Sequence, residues 1–211
     1  LIRVEKKHYP KVLVISSSSF NDYNGTGVTM SNLFREWPKD KLAVIHSDNL
    51  FEPNREICLN NYKHGLGDRR IFLLSSLINL FNKTKSIILS SFQPTQSSAN
   101  ENRIEPKQDM DFTNKKLFKI VVGIFGNLEP FSRIILTDKM KNWILDFDPE
   151  IIYSTFSTIG YMKFISEVKT LTKAELVVHF MDDWPSIVYK KGFLSPIFRL
   201  QMKIELKKIL K

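Results

Sequence analysis

Cysteine is nearly absent from this chain of 211 residues, and the one present, Cys58, excludes an internal disulfide and a cysteine-rich zinc site. That usage suits a reducing cytosol. No apolar run reaches the roughly 20 residues that a membrane-spanning helix needs. Ile2 to Lys7 hold no apolar signal-peptide core either. There is no His-Glu-x-x-His segment, and adjacent carboxylates such as Asp182-Asp183 chelate a metal poorly, so neither metal nor cofactor is expected. A dinucleotide fingerprint is excluded because Met30 stands where the third glycine belongs; no Walker lysine follows, and no nucleophile elbow occurs. RNP aromatics, zinc fingers and basic zippers are missing too, so nucleic acid has only charge in its favour and is not expected as a partner. No internal repeat is visible.

What the chain has is charge and apolar bulk. The formal net charge is +9, which favours an anionic partner without naming it. At 43% hydrophobic the chain can bury a core, and residues 1–211 are most simply one domain. It opens on Leu1 and closes on Lys211 within a helical pattern, so the expectation is a fragment of a longer polypeptide.

Lys11 to Ser17 reads as a central parallel strand, and Leu42 to His46 as a second. Between them Gly25-Thr26-Gly27 opens a helix carrying Val28, Met30, Leu33, Phe34 and Trp37, ended by Pro38. Ile57 to Tyr62 is a weaker third strand. Asp68 is expected to cap a helix through about Phe81. Residues 82–113 are polar with little apolar surface, which predicts a mobile segment. Leu117 to Leu128 resumes as a helix. Another starts near Thr137-Asp138, with Met140, Trp143 and Ile144 on one face. Glu150 to Ser154 is a fourth strand and Ile159 to Leu171 a helix. Leu176 to Val178 is a strand whose unbroken apolar run predicts burial on both faces. From Ser195-Pro196 a basic amphipathic helix carries Ile197, Leu200, Ile204 and Leu206. Strands alternating with helices imply an α/β fold: a Rossmann-like three-layer domain with a parallel central sheet.

Ligands bind at the carboxyl ends of such strands, which marks three segments. AELVVHFMDDWP delivers His179, Asp182, Asp183 and Trp184 together just past a strand. Either aspartate can equally cap a helix near Pro185, and Trp184 can simply cover the sheet edge. Gly25, Thr26 and Gly27 place backbone amides at a helix start, where they can hold an anionic group or merely make a tight turn. Thr155 and Ser157 lie in a hydroxyl-rich loop fit for sugars or phosphates, although Ser157 or Thr158 can cap the next helix. His46 and Asp48 read as loop structure.

Together NGTGVTMSNLFREWP, the Pro-Glu-Ile-Ile-Tyr strand and VVHFMDDWP resemble the amino-terminal domain of GT-B glycosyltransferases. The likeness is greatest to bacterial group-one enzymes that build capsule or lipopolysaccharide. It implies one half of a GT-B architecture, the acceptor side, facing a donor-binding domain across a cleft. The parent would be a cytoplasmic transferase, possible at the inner membrane face as a peripheral protein. It would move a sugar from a nucleotide-sugar donor to a polysaccharide or lipid-linked acceptor with anomeric retention and without metal. Gly25 and Gly27 match the loop that approaches the donor phosphate and sugar. Asp182 matches the acidic position on the acceptor side and, with His179, is the implied catalytic group. Two departures stand out. The family often has histidines where this chain has Tyr153, Thr155 and Phe156, and Met181 occupies the place of the usual histidine, with His179 two residues earlier. The family's Glu-x7-Glu element belongs to the second domain, so these residues alone are expected to be inactive. Two other readings fit: a non-catalytic Rossmann-like module binding a phosphorylated metabolite, and a basic membrane-surface protein.

Overall fold

Val12–Ile15 forms strand β1, and all four aliphatic side chains are buried. Each such burial contributes roughly 1.5–3 kcal/mol, and a strand this apolar is stable only between neighbours on both sides. It has them. In the computed structural model, which describes residues 8–48, 50–71, 130, 132–181, 183, 186 and 188–210, β1 is the centre of a five-stranded parallel sheet. Its order is β3-β2-β1-β6-β7, with β2 at Leu42–His46, β3 at Asn60–Lys63, β6 at Ile151–Ser154 and β7 at Glu175–Val178. The helices are α1 (Gly25–Phe34), α2 (Asp138–Phe147), α3 (Ile159–Thr172) and α4 (Ser195–Ile209).

Alternation along the strands builds two faces. Val12, Val14, Leu42, Val44 and Tyr153 form one cluster with Met30 and Phe34 of α1. The residues between them, Leu13, Ile15, Ala43 and Ile45, face the opposite way and are just as buried. Tyr62, in register with Ile45, meets Trp143 of α2 at 5.3 Å between ring centroids. Helices thus cover both faces, and the α/β, Rossmann-like three-layer arrangement is that of the structure. Thr137 caps α2 through its hydroxyl, which accepts from Met140 N, and Asp148 closes the helix in the left-handed region (φ 52°).

The chain divides into two compact units. The first takes the described parts of Leu1–Gly65, Leu136–Thr155 and Glu167–His179, and so holds the parallel sheet. The second takes those of Leu66–Ile135, Phe156–Ser166 and Phe180–Lys211. It contains an antiparallel pair, β4 (Arg69–Ile71) with β5 (Ser132–Ile134), and the helix α4. There Tyr189 accepts a hydrogen bond from Ile159 N at 3.1 Å and packs on Phe198.

Several expectations are corrected. The third strand begins at Asn60 rather than Ile57. Asp68 does not open a helix: it ends a short 3-10 turn, and the chain continues as β4. The strand before His179 is not buried on both faces. Among the described residues β7 is the edge of the sheet, paired only with β6, and Val177 is 46% exposed. The apolar residues named on α4 are not corrected but placed: Ile197, Leu200 and Ile204 face outward, and the buried stripe is Phe198, Met202 and Ile209. The expected mobile segment 82–113 and the helix at 117–128 lie outside the described residues.

Candidate functional site

The direction of chain travel reverses at one place in the sheet. From β1 the chain passes through α1 to β2 on one side; from β6 it passes through α3 to β7 on the other. The boundary between β1 and β6 is therefore a topological switch point, and the crevice past its carboxyl ends is where open α/β sheets bind ligands. Two hydroxyls meet there: Ser16 Oγ and Thr155 Oγ1 lie 2.9 Å apart, both buried.

These hydroxyls belong to a longer row. The last apolar level on the α1 face runs through Val44, Val14, Tyr153 and Val177 by the strand registers. Two residues further along each strand the same face carries Lys63, His46, Ser16, Thr155 and His179. His46 and Lys63 are partners in register, Ser16 N donates to Ile45 O, and His179 N donates to Ser154 O. A single step in the pleat thus converts an apolar layer into hydroxyls, imidazoles and an ammonium at the carboxyl edge of the sheet.

His46 stands out within this row. It is 1% exposed, and neither ring nitrogen has a hydrogen-bond partner among the described residues. Burial pushes its pKa down from 6.5 to about 4; Asp48 opposes that shift and Lys63 adds to it. The imidazole is neutral at physiological pH. Asp48 uses Oδ1 to accept from Leu50 N at 2.9 Å, while its buried Oδ2 is unpartnered among the described residues.

The loop from Ser16 to Asn24 is tied down by side chains. Asn21 Oδ1 accepts from the amides of Tyr23 and Asn24, each at 3.0 Å, and Asn21 Nδ2 donates to Ser19 O. Asn24 caps α1, accepting from Gly27 N at 2.8 Å and from Ser18 Oγ at 3.1 Å. The glycines now separate in role. A Cβ on Gly27 would lie 2.3 Å from Asn21 Nδ2, so glycine is needed there for the loop to pack. A Cβ on Gly25 would meet nothing within 4 Å. Because Asn24 takes the amide of Gly27, the amides left at the positive end of α1 are those of Gly25 and Thr26.

The first unit therefore brings together Gly25, Thr26, Gly27, Thr155 and His179. His179 is hydrogen-bonded through Nδ1 to the Tyr153 hydroxyl, and the rings meet edge to face at 5.9 Å. Ser157 and Asp183 belong to the second unit. Thr158, not Ser157, supplies the cap of α3, its hydroxyl accepting from Tyr161 N at 3.3 Å. The buried Ser157 hydroxyl is left without a partner among the described residues. Asp183 is exposed, with its carbonyl accepting from Ser186 N. Asp182 and Trp184 lie outside the described residues. Sequence reading missed Ser16 and treated His46 as loop structure. The signal for both was their place at the carboxyl end of a buried strand, Ser16 one residue past β1 and His46 the last residue of β2.

Among the described residues no group of histidine, cysteine or acidic side chains could hold a metal ion. Burial raises the Cys58 thiol to about 12, which removes it as a nucleophile. A cleft of about 440 Å³ opens at the other end of the sheet, lined by Lys11, Asp40, Asn60, Trp143 and Asp146. It lies at the amino ends of β1 and β3, away from the switch point.

No family model, curated protein or solved structure matches this chain.

Proposed function

We propose that this chain is the acceptor-side domain of a retaining glycosyltransferase, working with a donor-binding domain across a cleft. The observation that carries the reading is the polar row at the switch point. Ser16, Thr155 and His179 offer hydrogen-bond donors and acceptors of the kind a polyhydroxylated ligand can use. Beside them the free amides at the start of α1 favour a phosphate or a developing negative charge on the leaving group. No protein general base is needed in such a scheme, because the departing phosphate oxygen takes the acceptor hydroxyl's proton as its bond to the sugar breaks. Retention with a nucleotide-sugar donor asks the protein mainly to stabilise the departing diphosphate and to orient the acceptor hydroxyl.

In this reading His179 touches the reacting sugar, Thr155 and Ser16 orient hydroxyls, and Gly25 and Thr26 approach the donor phosphate. Asp182, Asp183 and Trp184 are assigned to the acceptor side by the resemblance alone. The full-length polypeptide, incubated with a panel of nucleotide sugars and lipid-linked acceptors, is expected to transfer sugar without added metal. Transfer should fall at least tenfold in His179→Ala with folding intact. Binding of nucleotide sugars without any transfer would favour a metabolite-binding module instead.

A peripheral membrane contact is proposed alongside. Ile197, Leu200 and Ile204 of α4 are exposed and interleave with Lys203, Lys207 and Lys208, a pattern suited to an anionic interface. Among the described residues no helix is long and apolar enough to cross a membrane, so such contact would be at the surface.

A further inference from the structure

We infer that Tyr153 is a positioning residue that holds His179 as a hydrogen-bond donor through Nε2, so that the ligand group it meets must be an acceptor oxygen. Tyr153 lies on β6, in register with Val14 and Val177, and its ring is wedged edge to face against Phe34 at 5.1 Å. It is 6% exposed. The backbone of His179 is pinned by its amide bond to Ser154 O at 2.9 Å, and its Nδ1 meets the Tyr153 hydroxyl. Both partners are therefore fixed before any ligand arrives.

The direction of that bond follows from accounting. A neutral imidazole has one donor nitrogen and one acceptor. If Nδ1 carried the proton, the phenolic hydrogen would need another acceptor, and among the described residues Tyr153 has no other hydrogen-bond partner. A phenol is also the better donor and the poorer acceptor of the two. The hydroxyl therefore donates to Nδ1, and the proton of the neutral ring resides on Nε2. Nε2 has no partner among the described residues, which leaves it as the ring's one group for a ligand. His179 then serves as a donor to a sugar hydroxyl or phosphate oxygen and cannot, in this tautomer, accept a proton at Nε2 as a general base. The tautomer is a property of the chain itself; the ligand role rests on the transferase reading.

Nitrogen-15 spectra of histidine-labelled protein at about pH 8, where an ordinary imidazole is neutral, test the tautomer directly. His179→Gln assigns the signal among the four histidines. We expect a protonated Nε2, an unprotonated Nδ1, and a slowly exchanging hydroxyl proton correlated with Nδ1. Tyr153→Phe keeps the ring that packs on Phe34 and should remove that correlation and shift the Nδ1 resonance. A protonated Nδ1 in the unaltered protein, or an Nδ1 resonance unmoved by Tyr153→Phe, would overturn the inference. In the full-length protein with UDP-glucose as probe donor, Tyr153→Phe should lower kcat/KM about tenfold, the worth of one well-placed hydrogen bond. Absence of transfer by the unaltered protein with every nucleotide sugar of the panel would remove the transferase reading and leave the tautomer result standing, so the two failures are distinguishable.

Discussion

Acid should weaken this fold through His46, and the size of the effect can be worked from the structure. The buried ring is held near pKa 4, against an ordinary value of 6.5 in the unfolded chain. Between those values the unfolded state binds a proton that the folded state refuses, so stability is lost as pH falls from 6.5 toward 4. The full difference, about 2.5 units at about 1.4 kcal/mol each, comes to about 3 kcal/mol. Between pH 7 and pH 5 the share lost is about 2 kcal/mol, large beside the 5–15 kcal/mol typical of domains. Asp48 and Lys63 act on the ring with opposite signs and temper each other. His46→Leu removes the titrating group together with two buried nitrogens that lack partners. Such a replacement is close to neutral or stabilising at pH 7, because the desolvation cost disappears with the polar atoms. Urea unfolding of both proteins across this pH range measures the contribution, since carboxylates elsewhere titrate equally in each. The variant should become the more stable of the two as pH falls, by about 2 kcal/mol near pH 5. Parallel pH profiles would refute the account of His46 as a buried, unpartnered base.

Three further outcomes are expected. Gly27→Ala should destabilise by about 1–3 kcal/mol, read by urea unfolding, because its methyl collides with Asn21, the residue that organises the β1–α1 loop. Gly25→Ala meets open space and should change stability by less than about 1 kcal/mol, since alanine also favours the helix; equal costs at the two sites would contradict the packing argument. The α4 face should sediment the protein with vesicles containing anionic lipid and not with neutral ones, and Ile197→Ser with Leu200→Ser should abolish that; lipid-independent behaviour of both would remove the membrane contact.

How much of this was legible in the sequence depended on how much of the fold is written locally. β1 and β2 announce themselves through unbroken aliphatic runs, because a central parallel strand is buried on both sides. The run Leu176 to Val178 misled for the same reason: apolar composition does not distinguish a central strand from an edge, and only the pairing partners decide. β3 was blurred because its first two residues, Asn60 and Asn61, are polar, as an edge position permits. In α4 two apolar stripes compete, and Phe198, Met202 and Ile209 take the buried side from Ile197, Leu200 and Ile204. The helix expected after Asp68 failed at its start, where tertiary pairing with Ser132–Ile134 draws Arg69–Ile71 into a strand.

The candidate site was half legible. Glycines and hydroxyls after strands mark the carboxyl edge, but that edge becomes a row only when parallel registers align residues far apart in sequence. Ser16 and Thr155 are separated by 139 positions, and Tyr153 and His179 by 26. No local pattern reports either meeting. Gly27 shows the converse, a motif residue whose necessity lies in packing against Asn21 rather than in a ligand.

The central claim is that the carboxyl edge at the switch point binds the sugar-bearing ligand. Backbone amide shifts of the chain, titrated with UDP-glucose, test it most directly. The account predicts perturbations gathered at Ser16, Gly25, Thr26, Thr155 and His179, weak binding, and no sugar transfer by these residues alone. Perturbations confined to the cleft of Lys11, Asp40 and Trp143 at the opposite end of the sheet, or robust transfer by the 211 residues without a second domain, would contradict it.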